Sequence, residues 1–116
     1  MAQLTMELPD VLAERVRGMD RWLSTILEVS LLGLRTEATA VASELIHFLS
    51  TGPSPEDVLD FHISEDAQER TRRLLALNES GLLGPKESAE LEELLELEHI
   101  GVVLKADIAV ELQGMQ

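Results

Sequence analysis

Residues Gln3 to Leu8 alternate in polarity, with Leu4, Met6 and Leu8 on one side and Gln3, Thr5 and Glu7 on the other. That is the period of a short half-buried β-strand. Pro9 closes it and suits the first position of a helix, and Asp10 puts negative charge in the first turn, so the pattern predicts a helix over 9–17 with Val11, Leu12 and Val16 inward. Gly18 fits the left-handed position that ends such a helix. Asp20 reads as the N-cap of a second helix through Trp22, Leu23, Ile26, Leu27 and Leu31 to about Gly33. A third begins at Thr36, carries Ala40, Val41, Leu45, Ile46, Phe48 and Leu49, and breaks at Gly52-Pro53. Ser54-Pro55-Glu56-Asp57 and Ser64-Glu65-Asp66 each combine a hydroxyl cap with first-turn carboxylates, predicting a short helix and then one with Ala67, Leu74, Leu75 and Leu77 inward. From Pro85 to about Leu112 the spacing is continuously helical, with Leu91, Leu94, Leu95, Leu97, Ile100, Val103, Leu104 and Ile108 as a broad apolar face. Gly101 costs that helix about 1 kcal/mol relative to alanine, which implies a bend or the close approach of another helix. The fold class expected is therefore mainly α, a short N-terminal strand followed by five to six helices, divided into a module over 1–35 and a helical region over 36–116.

A lone strand leaves its ladder N–H and C=O groups unmade, so it must pair with a second chain. A strand followed by two helices, carried on Leu4-Thr5-Met6-Glu7-Leu8-Pro9, resembles over residues 2–34 the ribbon-helix-helix fold of small bacterial repressors and antitoxins. The resemblance implies an antiparallel ribbon between two chains, with Leu4, Met6, Leu8, Trp22, Leu23, Ile26 and Leu27 in a homodimer interface. It also implies that Gln3, Thr5 and Glu7 face operator DNA. Gln can read adenine and Thr can meet polar edges or the thymine methyl. Glu7 departs from the family, whose residue there is usually basic, and only Arg15, Arg17, Arg21 and Arg35 stand nearby to offset it. A ribbon that only dimerises the protein is the alternative.

Composition narrows the function classes. The 116 residues contain no cysteine, which excludes disulfides, thiolate nucleophiles and Cys-based metal sites and points to a reducing, cytoplasmic setting. No apolar run approaches the roughly 20 residues of a membrane span, and the N-terminus lacks the pattern of a signal peptide. Trp22, Phe48 and Phe61 are the only aromatic residues, so the core must be built from aliphatic side chains, as suits helix packing. The net charge of −13 is unevenly placed, with four basic and five acidic residues over 1–35 but five and seventeen over 36–116. An acidic field attracts basic proteins and repels phosphate, or it serves only solubility.

Leu45-Ile46-His47-Phe48-Leu49, Gly52-Pro53-Ser54-Pro55-Glu56-Asp57, Glu65-Asp66-Ala67-Gln68-Glu69-Arg70, Leu97-Glu98-His99-Ile100 and Lys105-Ala106 are similar to motifs of small uncharacterised helical proteins of cyanobacterial type. That resemblance, over residues 45–106, implies a helical fold and a partner-binding role of the toxin–antitoxin kind, and it implies no active site. His47, His62 and His99 are far apart and lie in no His-Glu-x-x-His arrangement, so no metal, cofactor or catalytic residue is expected. Asp66 and Glu69 stand one turn before Arg70 and Arg73, which predicts the intrahelical pairs Arg70 with Asp66 and Arg73 with Glu69, beside Arg72. Glu87, Glu90, Glu92, Glu93, Glu96 and Glu98 crowd one stretch with only Lys86 beside them. Like charges three and four apart destabilise a helix slightly, so Glu90, Glu92, Glu93 and Glu96 are read as a face for a basic partner. The expected function is that of an antitoxin-like homodimer masking a basic protein such as a nuclease toxin, with operator DNA as a further ligand. A non-enzymatic adaptor or assembly factor without DNA binding is the alternative.

Overall fold

The computed structural model describes residues 2–114, and all regular structure among them is helical. The helices are α1 (Asp10–Gly18), α2 (Leu23–Ser30), α3 (Thr39–Ser50), α4 (Pro55–Asp60), α5 (Glu65–Glu79) and α6 (Pro85–Gly114), with one 3-10 turn over Asp20–Trp22.

The expected N-terminal strand is absent, and with it the ribbon-helix-helix fold class: residues 2–9 have no regular structure. The alternation of Gln3 to Leu8 is real, but a strand needs a ladder partner and a surface to cover. Neither is offered to it by the rest of the chain. Leu4 and Met6 are 89% and 66% exposed instead. Helix α1 likewise contributes no buried residue, contrary to the inward positions expected for Val11 and Leu12.

Local signals placed the other helices to within a few residues. Ser54 and Ser64 accept hydrogen bonds from the backbone N–H groups of Asp57 and Ala67, at 3.1 and 3.3 Å, as capping serines do. Asp20 does not cap a helix: it is the first residue of the 3-10 turn, whose N-cap is Met19, and Trp22 holds the N-cap position of α2. Thr36 precedes α3 by three residues, its hydroxyl accepting from Ala38 N–H at 3.1 Å. Gly18 is the last residue of α1 and not a left-handed stop; φ is +70° at Gly33, Gly52 and Gly81. At Gly52 glycine is needed twice over, because a Cβ there would also lie 2.3 Å from the carbonyl oxygen of Gly18.

One apolar cluster joins α2, α3, α4, α5 and α6, anchored by Trp22, Ile26, Leu49, Val58, Leu74 and Leu97. Trp22 buries its ring and donates its indole N–H to the Pro53 carbonyl at 2.8 Å, tying the start of α2 to the α3–α4 turn. Phe48 and Phe61 stack with centroids 4.3 Å apart, which fixes α4 against α3. The 30 residues of α6 span about 45 Å, close to the 49 Å longest dimension of the molecule. The radius of gyration of 16.4 Å exceeds the roughly 13 Å of a compact 100-residue domain.

Gly101 lies inside α6, and the helix passes through it without interruption. A Cβ added there would meet nothing within 4 Å, so neither close approach nor crowding within the chain explains the glycine. Gly101→Ala is expected to raise stability by about 1 kcal/mol through helix propensity alone, read as an increase in the urea midpoint with unchanged slope.

Candidate protein-interaction site

The acidic residues of α6 separate into two groups. Glu90 is buried, at 7% exposure, and receives two hydrogen bonds from the Arg70 guanidinium at 2.9 and 3.0 Å. This cross-link between α5 and α6 replaces the expected Arg70–Asp66 pair. Glu69 in turn pairs with Arg72 at 3.1 Å, in the open, and not with Arg73. Glu93 receives hydrogen bonds from the N–H groups of Arg35 and Thr36, at 2.9 and 3.0 Å, and from the Thr36 hydroxyl at 2.6 Å. It thereby satisfies donors of the irregular segment before α3 and fastens that segment to α6. Two of the four carboxylates expected to meet a partner therefore serve the fold.

Both titrations reflect these jobs. The hydrogen bond from Arg70 holds the Glu90 carboxyl below its ordinary value, with the Arg70 and Lys86 charges adding to it against the cost of burial. At Glu93 partial burial pushes upward, and the hydrogen bonds from Thr36 and Arg35 together outweigh it, so the net direction is again down. A carboxyl depressed in the folded state stabilises fully above its unfolded pKa and loses that contribution as pH falls through the folded pKa. Stability should thus be level near neutrality and fall below about pH 4.5. Glu93→Gln should flatten this acid limb in urea titrations at several pH values; an unchanged limb would show that Glu93 carries none of it.

Glu92 and Glu96 are exposed on the outward side of α6. At 100° per residue they share that side with Leu95, His99, Val103, Ala106 and Val110. Leu95, Val103 and Val110 are 41%, 44% and 70% exposed. Leu95 and Val103 were expected to face the core. Apolar and charged residues of α6 are mixed around its circumference, so periodicity could not choose the buried side. The outcome is a long outward face, acidic in its first half and aliphatic in its second. The aliphatic half is a run of apolar side chains that the described residues leave partly uncovered.

A second feature is a groove of about 490 Å3 between α3, α4, α5 and α6. Its walls are aliphatic and aromatic, including Val41, Leu45, Phe61, Leu94 and Leu97, with half-buried Gly101 along one side. The charged or titratable residues around it are His62, Arg72 and Lys105, against Glu98 alone. Lys105 donates to the Phe61 carbonyl at 2.7 Å and holds the α4–α5 connection over α6. Sequence reasoning missed this groove, although an interior glycine in an apolar helix was the signal for it.

The remaining expected positions fall as follows. Gln3, Thr5 and Glu7 are exposed on the irregular N-terminal segment, where no ribbon aligns them for base reading. Of the residues assigned to a dimer interface, Trp22 and Ile26 are buried in the protomer core, Leu23 and Leu8 are half-buried, and Leu4, Met6 and Leu27 are exposed. His47, His62 and His99 are exposed and scattered. Among the described residues no group of three or more His, Asp or Glu side chains is placed to hold a metal ion, and no helix is long and apolar enough to cross a membrane. Comparison with protein-family models, with curated proteins and with solved structures gave no match.

Proposed function

We propose that this protein is a non-catalytic binding protein that captures a basic protein partner on the outward face of α6. The observation carrying this reading is the composition of that face. Glu92 and Glu96 supply uncommitted negative charge at one end, and Leu95, Val103 and Val110 supply apolar area that the chain itself leaves uncovered. An amphipathic element with a basic end and an aliphatic stripe complements both halves. Masking of this kind is what an antitoxin-like chain does to a nuclease toxin, whose nucleic-acid surface is basic, and that partner class fits the charge. Operator binding is not part of the proposal, because its base-reading residues depended on a ribbon that the chain lacks.

The charge half of the reading is tested by Glu92→Lys together with Glu96→Lys. Glu93 must be left intact, since reversing it would release the segment before α3. Against a basic partner recovered with the wild-type protein from its host, association should slow by about tenfold at low salt while dissociation changes little, and the difference should shrink as salt rises. Identical association rates at low salt would reduce these two glutamates to a solvated surface.

A further inference from the structure

The apolar groove and the N-terminal arm are two uncovered surfaces of the same chain, and they are complementary. Residues 2–9 are irregular, Leu4 and Met6 stand in solvent, and α1 buries nothing. The arm joins the body where the Gly18 carbonyl abuts Gly52, at the C-terminal end of α3. Within residues 2–9 the only charged side chain is Glu7. The groove has a volume of about 490 Å3 between mainly apolar walls, within the roughly 300–1,000 Å3 of pockets that receive a ligand. Its charged lining is Arg72 and Lys105 against Glu98, a cationic balance in a region where carboxylates outnumber basic residues seventeen to five. A basic peptide would be opposed there, whereas an apolar segment with a single carboxylate is matched.

We infer that the groove receives Leu4–Leu8 of a second copy of this chain, with Leu4, Met6 and Leu8 against its aliphatic walls and Glu7 toward Lys105 and Arg72. Two copies exchanging arms bury the apolar groups that each alone leaves wet, and nearly all of the like charge on the two acidic bodies stays outside the contact. Gly101 is then a glycine kept for an incoming side chain, and not for any neighbour in its own chain. The inference is independent of the partner proposed for the outward face of α6.

Sedimentation equilibrium on the full chain tests it. The wild type should dimerise with increasing concentration. Leu4→Asp with Met6→Asp, which touches no core residue and so cannot unfold the body, should weaken dimerisation by about 100-fold or more. Gly101→Trp, which fills the groove from its glycine side, should do the same while circular dichroism stays unchanged. An equimolar mixture of the two variants should form a heterodimer, because it restores one intact arm and one open groove. A wild type that stays monomeric up to millimolar concentration, or a dimer unaffected by the arm substitutions, would overturn the inference, as would two variants that fail to associate with each other.

Discussion

Arg70→Ala should destabilise the protein by about 3 kcal/mol, more than any other single exposed-charge substitution on α5. Glu90 is buried on α6 and accepts both of its hydrogen bonds from that one guanidinium. Removing the arginine leaves a desolvated carboxylate with no protein donor, the costliest way to break such a pair. Arg72→Ala on the next position serves as the control: its contact with Glu69 is exposed on both sides, so its loss should stay within about 0.5 kcal/mol. Arg70→Ala combined with Glu90→Leu should recover most of the loss, since the unpaired charge has been removed too. Urea unfolding distinguishes these cases. Equal, small effects for Arg70→Ala and Arg72→Ala would mean that the α5–α6 cross-link does nothing for the fold.

Val103→Asp with Val110→Asp should abolish partner capture, weakening it by at least about 100-fold, while the fold stays within about 1 kcal/mol of wild type. Val103 and Val110 are both exposed, at 44% and 70%, and neither belongs to the buried core, so the folded chain registers the change only weakly. In the complex each substitution removes buried aliphatic area and adds a carboxylate that must be desolvated. The effect should also differ in kind from that of reversing Glu92 and Glu96, appearing in the dissociation rate and persisting at high salt. Retained affinity in the double aspartate variant, with circular dichroism unchanged, would remove the apolar half of the proposed surface.

These two outcomes rest on features that the sequence disclosed unequally. Caps made from a hydroxyl and first-turn carboxylates act within four residues, so Ser54 and Ser64 were legible, as was the long helix after Pro85. The strand was misread because alternation describes what a segment could bury, and not whether anything lies opposite it. Among the described residues Leu4 and Met6 are left exposed and only Leu8 is half-buried. The local pairs drawn for Arg70 and Arg73 failed for a related reason. A neighbour one helical turn away is available from spacing alone, but Arg70 reaches a buried carboxylate 20 residues on, where the exchange of water for a charged partner matters more. Likewise Glu90 and Glu93 looked equivalent to Glu92 and Glu96 in a run of glutamates. Only the packing of α5 and of the segment before α3 against α6 separates the carboxylates that hold the fold from those left exposed.

The most direct test of the outward face of α6 is contact mapping by photo-cross-linking in the host. A photoreactive residue at Ala106, in the middle of the aliphatic half, is compared with one at Ser24, an exposed position on α2. Cross-linking from Ala106 to one basic protein, absent from Ser24 and lost when Val103→Asp and Val110→Asp are added, is the predicted result. Adducts to that protein from Ser24 but not from Ala106 would place its binding surface elsewhere and contradict the proposal.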